Sequence, residues 1–167
     1  MLAHILLWLL PGCLAFAAAM DLLTMTIPNR IALLLLIAFL PAVLLAGLAV
    51  SEIGWHLASG VLVLLIGMLM YFLGWCGGGD AKLLAAIGLW LGFDHLPDYL
   101  LFTAVAGGML ATLFSLLRSV PLPGLLLVEA WAVRLHRRDA GIPYGIALAA
   151  GALLVYPHTS WFASLTG

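Results

Sequence analysis

The sequence predicts an all-α integral membrane protein, a polytopic bundle of six transmembrane helices with one amphipathic cytoplasmic loop. Three observations carry this. Of 167 residues, 66% are hydrophobic and only 8% charged, whereas soluble domains run nearer ~25% charged because water-facing surfaces need such groups. Mean hydropathy is +1.25. Apolar runs recur at lengths close to the roughly 20 residues that cross a ~30 Å hydrocarbon core. A net charge of −1 offers no basic face for nucleic acid. The lipid bilayer is the expected surrounding, and residues 1–167 read as a single membrane-embedded domain.

The spans fall near residues 2–20, 31–50, 57–75, 81–96, 99–117 and 142–160. The first contains Ala15-Phe16-Ala17, which resembles a leader cleavage site, and Leu10-Pro11-Gly12-Cys13, which resembles a lipoprotein box. No basic residue precedes the apolar run, so it is expected to be a true span. The fourth has a short apolar body, Leu83 to Phe93. It is long enough if the helix begins at Asp80 and Lys82 reaches back to the interface. All six Lys and Arg fall in the first, third and fifth loops: Arg30, Lys82, Arg118, Arg134, Arg137 and Arg138. The second and fourth loops carry Glu52, His56, Asp94, His95 and Asp98. Basic loops stay in the cytoplasm, which places both termini outside.

The one long loop, residues 118–141, holds Leu125, Val128, Trp131 and Leu135 at helical spacing. An interfacial helix on lipid headgroups is expected there, with a substrate-docking lid as the alternative.

Two acids stand where acids are costly. Asp21 follows a run of apolar and small residues, and Asp80 follows Gly77-Gly78-Gly79 ahead of another apolar helix. An ionised side chain deep in a bilayer costs at least ~2.5–3.5 kcal/mol. The topology puts both on the cytoplasmic face at one depth. If they meet, they share one proton, because like charges a few ångströms apart do not both ionise readily. Such a pair can hydrolyse a peptide without metal or cofactor: one member activates water and the other protonates the carbonyl oxygen. The glycines would adopt positive φ and open backbone to an incoming chain. Asp80 would cap its helix, with Lys82 facing headgroups or substrate. The plain alternative makes Asp21 a loop residue ahead of Pro28 and Asp80 only a cap.

At this point a resemblance enters. Asp21 with Ile27-Pro28-Asn29 resembles the Asp-x5-Ile-Pro-Asn segment of type IV prepilin peptidases. Gly77-Gly78-Gly79-Asp80-Ala81-Lys82-Leu83 resembles their Gly-x-Gly-Asp-x-Lys-Leu segment, and Ile142-Pro143-Tyr144-Gly145 the start of their last helix. The resemblance runs from about residue 15 to 157. It implies an aspartic endopeptidase of the bacterial inner membrane that removes leaders from prepilins and pseudopilins at the cytoplasmic face, with the pilus-assembly machinery as a further partner. It implies Asp21 and Asp80 as the catalytic pair, with Asn29, Gly77, Gly78, Gly79 and Lys82 around them. With two cysteines, Cys13 and Cys76, the chain is similar to the short, peptidase-only subgroup of tight-adherence (Flp/Tad) pili, although only Arg30 follows Asp21 where that subgroup often has several arginines.

The remaining polar groups read as structural. Asp94, His95 and Asp98, like Glu52 with His56, fit solvated outer loops rather than a metal site. His4 and His158 lie near the termini. Trp8, Trp55, Trp75, Trp90, Trp131 and Trp161 mark span ends. Gly60, Gly67, Gly107, Gly108 and Gly151 suit close helix packing. Pro28 and Pro143 fit helix starts. The rivals are a small proton-coupled transporter, which wants acids at the bilayer midplane and inverted repeats, and a non-catalytic pilus-assembly scaffold.

Overall fold

Helices make up the ordered structure from end to end. The computed structural model describes residues 2–160 and 162–163, with side chains from Ile5 onward; the side chain of His4 and all of Trp161 lie outside the described part. In order come α1 (Leu2–Thr24), α2 (Asn29–Ala46), α3 (Val50–Phe72), α4 (Gly78–Leu117), α5 (Ala130–His136) and α6 (Gly145–Val155). Short 3-10 turns occupy Gly124–Leu126 and Tyr156–His158. No strand occurs among the described residues.

Among the described residues, four helices are long and apolar enough to cross a membrane: Ile5–Thr24, Asn29–Ala46, Val50–Phe72 and Gly78–Leu117; Gly145–His158 is apolar but shorter. Their outer faces are as apolar as their inner ones. Leu33, Ile37, Leu40 and Leu44 stand exposed on α2, as do Val61, Leu65 and Leu69 on α3. Helices that are hydrophobic all round belong in lipid or in a large core, and a 167-residue chain has no large core. Leu10, Leu14, Leu35, Ile87, Trp90 and Leu148 form the packed centre where α1, α2, α4 and α6 meet.

The fourth span differs from the sequence expectation. Two helices were expected at 81–96 and 99–117, parted by a loop at Asp94–Asp98. Instead α4 runs as 40 residues, with its one non-helical residue at Gly92 (φ 70°, ψ 179°). An unbroken helix of that length would reach ~60 Å, twice a bilayer core. The break therefore lies two residues before Asp94 and six before Asp98, and both acids sit on helix rather than loop. Only glycine occupies this region of φ/ψ freely. A break in lipid leaves carbonyls needing donors, and α3 supplies them. Ser59 Oγ donates to Gly88 O at 3.0 Å, and His56 Nδ1 meets Leu89 O at 2.8 Å. A carbonyl only accepts, so His56 carries its proton on Nδ1.

Small residues let these helices close in. A Cβ on Gly60 would come 2.9 Å from Leu89 Cβ, and one on Gly67 would come 3.1 Å from Ala81 Cβ. Gly107 lies under the Tyr144 ring and Gly151 against Thr103. Gly108 differs: a Cβ there would meet nothing. Trp90 also departs from the interfacial expectation. It is fully buried and ties α4 to α2 by donating from Nε1 to Leu35 O at 2.9 Å.

The long loop is shorter in helix than its pattern suggested. Leu125 and Val128 precede α5 and are 89% and 82% exposed, whereas Ala132 and Leu135 are buried. Arg118 donates to Leu135 O and Gly141 O, both at 2.8 Å, and Arg134 Nη1 donates to Leu23 O at 3.0 Å. The loop is thus stapled onto the end of α1 rather than laid out along its apolar stripe.

Replacing Gly92 by Ala should destabilise the protein by ~1–3 kcal/mol from backbone conformation alone, and its Cβ would also come 2.9 Å from His56 Cε1. Thermal unfolding in detergent checks this. A melting temperature equal to wild type would show that the break does not depend on glycine.

Candidate active site

Three chain segments converge at one end of the bundle. Asp21 lies in the last turn of α1, 5% exposed. A buried carboxylate needs donors, and Asp21 Oδ2 accepts the backbone N–H of Gly145 at 2.6 Å. Gly145 opens α6, so its amide is one of the helix-start donors with no partner inside its own helix. A Cβ on Gly145 would lie 2.9 Å from Asp21 Oδ2 and 2.9 Å from Ile27 Cδ1. Glycine is required here for closeness.

Just beyond Asp21 the chain turns sharply. Met25 has φ 56°, a left-handed conformation that costs a non-glycine residue ~1–2 kcal/mol. Its N–H donates to Asp21 O at 2.8 Å, closing α1. Thr24 Oγ1 donates to Met20 O at 2.6 Å, and the Thr24 and Thr26 hydroxyls lie 2.7 Å apart. The turn delivers Ile27 into the interior and Pro28 to the N-cap of α2, one residue before the helix position expected for it.

The glycine triplet does something other than expected. None of Gly77, Gly78 and Gly79 has positive φ; the positive value in this connection belongs to Gly74. Their value is in contact distance. A Cβ on Gly79 would come 3.1 Å from both Ile27 Cβ and Ile27 O, and one on Gly77 would come 2.9 Å from Asp80 Oδ2. Gly78 makes only ordinary contact with the Tyr71 ring. Ile27 thus packs between Gly79 on one side and Gly145 on the other, joining all three motifs.

Asp80 is half-buried in the first turn of α4. It is not the N-cap. Gly77 holds that position, and Asp80 reaches back to accept its N–H at 3.1 Å, the return half of a capping box. The start of α4 packs on the Asp21 turn through Gly79 against Ile27, and each carboxylate is already oriented by one backbone amide. Asn29 opens α2, and Lys82, expected to face headgroups or substrate, donates from Nζ to Asn29 Oδ1 at 2.9 Å.

Cys76 is the other reactive side chain nearby. Partial burial and the Asp80 charge push its thiol up from its ordinary value of 9.0, so it stays protonated at neutral pH and is a poor nucleophile. Asp94, His95 and Asp98 lie on α4 beyond Gly92. Among the described residues, no three of His, Cys, Asp or Glu gather as a metal site. Gly145, Ile27 and Met25 were not singled out as site residues from sequence. A glycine in a first helical turn costs ~1 kcal/mol relative to alanine, which was the available signal for Gly145.

A model of the type IV leader peptidase family matches residues 8–112. A Burkholderia pseudomallei (strain K96243) protein named "Prepilin leader peptidase/N-methyltransferase" is 37% identical over 92 residues, covering 54% of this chain and 25% of its own length. An Aeromonas salmonicida (strain A449) protein of the same name is 34% identical over 92 residues, covering 53% and 26%. The chain thus covers about a quarter of these curated relatives. No solved structure matches.

The Cys76 environment gives a test of Asp80 charge. Asp80→Asn removes the like charge, so the thiol titrates at lower pH and more thiolate is present at pH 8. Maleimide labelling of Cys76, followed by peptide mass spectrometry, should be faster in the variant. An unchanged rate would place the Asp80 charge out of reach of Cys76.

Proposed function

The chain belongs to the type IV leader peptidase family, and from that premise we propose that Asp21 and Asp80 form an aspartic dyad that cleaves the leader from prepilins and pseudopilins. The observation that carries this reading is that two costly carboxyl groups, each held by its own backbone amide, Gly145 for Asp21 and Gly77 for Asp80, stand on segments packed together through Ile27.

In the proposed reaction the dyad holds one proton. The ionised carboxylate takes a proton from water as the water oxygen bonds to the peptide carbonyl carbon. The protonated carboxyl gives its proton to the carbonyl oxygen. Collapse of the tetrahedral intermediate breaks the C–N bond, and the leaving amine receives a proton from the dyad. The pair titrates as a unit, so neither role is fixed to one residue. Gly145 is a positioning residue in this scheme, and Lys82 with Asn29 braces α4 against α2 beside the dyad.

The setting proposed is a bacterial inner membrane, with residues 1–167 acting as one peptidase domain. We read six crossings: α4 supplies two, turning at Gly92, and α6 with the turn after it supplies the last. The six basic residues then share the cytoplasmic side with the dyad, both termini lie outside, and the pilus-assembly machinery is at hand. The transporter alternative is disfavoured by place. Asp21 sits in the last turn of α1 and Asp80 in the first turn of α4, near membrane faces rather than at the midplane.

Co-expression with a candidate prepilin, read by gel shift, tests the dyad. Asp21→Asn and Asp80→Asn should each abolish cleavage while the protein still inserts; unimpaired cleavage in either would remove that residue from the mechanism. Gly145→Ala should lower kcat by ~10²-fold, the scale of an ångström of misplacement, with little change in KM. A rise in KM at constant kcat would assign Gly145 to substrate binding instead.

A further inference from the structure

An apolar groove lies between α1 and α2, away from the dyad. Its volume is about 910 Å³, and its walls include Trp8, Gly12, Phe16, Pro28, Ile31 and Arg30. The α1 wall runs from Ile5 to Phe16, ~16 Å of helix at 1.5 Å per residue. Phe16 is at the end of this wall nearer Arg30, and Ile5 is at the end farther from it. The groove is apolar along this length and carries a single charged group, Arg30, in the second position of α2.

The other basic side chains beside the site have partners. Lys82 bonds Asn29, Arg118 and Arg134 bond backbone carbonyls, and Arg137 pairs with Asp139. Arg30 makes no hydrogen bond or ion pair among the described residues, and it is exposed. A cation at the interfacial end of an apolar channel is complementary to one kind of molecule. Acyl chains fill the channel and an anionic headgroup meets the guanidinium, in the bidentate geometry arginine offers to phosphate. Gly12 contributes the space: a Cβ there would meet no atom within 4 Å.

We propose that the α1–α2 groove is a binding site for an anionic phospholipid, with its chains against Gly12 and Phe16 and its phosphate on Arg30. The site does not depend on the peptidase reading. It would attach lipid to the two helices joined by the Asp21–Pro28 turn.

The full chain in detergent can be exchanged against phosphatidylglycerol or phosphatidylcholine and the retained lipid counted by native mass spectrometry. Wild type should retain phosphatidylglycerol preferentially. Arg30→Gln should reduce that preference about fivefold, the factor one basic group near an anionic surface is worth. Arg138→Gln, which changes the same charge outside the groove, should not. Gly12→Leu keeps a strong helix former and fills the open space, so it should lower retention of both lipids. Equal retention of the two lipids by wild type, an Arg30→Gln preference matching wild type, or an equal loss in Arg138→Gln would each overturn the proposal. Unchanged retention in Gly12→Leu would overturn the placement of the chains.

Discussion

One backbone hydrogen bond, from Gly145 to the Asp21 carboxylate, joins α1 to α6. It spans 124 positions of sequence at 2.6 Å. Hydrogen bonds to charged groups contribute ~1.5–3 kcal/mol, and a buried carboxylate without one is penalised by more. The neighbouring geometry follows from that bond. Gly145 must lack a side chain, Ile27 fills the remaining space, and Gly79 must in turn make room for Ile27. Met25 accepts a left-handed backbone so that the chain can turn back into this gap. Asp80 thereby comes to stand near Asp21 on a separate helix, held by its own amide.

The interior of α4 solves a different problem, again with backbone partners. Where Gly92 interrupts the helix, Ser59 and His56 on α3 take over carbonyl oxygens. His56 is thereby a structural donor, which gives a polar residue near the membrane a role without catalysis. The close approach that makes this geometry available comes from Gly60, Gly67 and Gly88, which bring α3 and α4 nearly into backbone contact. Rigid packing at one end and a strained turn at the other leave the dyad between well-fixed elements.

Much of this was legible in the sequence. Composition identified a membrane protein, and the placement of Asp21, Asn29 and Gly77-Gly78-Gly79-Asp80 pointed to one site, while Pro143-Tyr144-Gly145 read only as the start of a helix. The break at Gly92 was placed several residues late because charge at Asp94 and Asp98 looked like a loop. A helix-breaking glycine among apolar neighbours carries no periodic signal. The triplet glycines suggested freedom of φ, whereas contact distance decides their use, and contact is not visible before the helices are assembled. The Lys82–Asn29 bond and the stapling of α5 by Arg118 and Arg134 join residues far apart in sequence, so no local pattern announces them.

The central claim is that two carboxyl groups work on one shared proton. The pH dependence of leader cleavage by the full-length wild-type protein in lipid nanodiscs tests it most directly. A shared proton requires a bell-shaped profile: activity falls at low pH when both acids are protonated, and at higher pH when both are ionised. A profile that rises with pH and then stays flat would mean that a single base suffices, and would contradict the dyad.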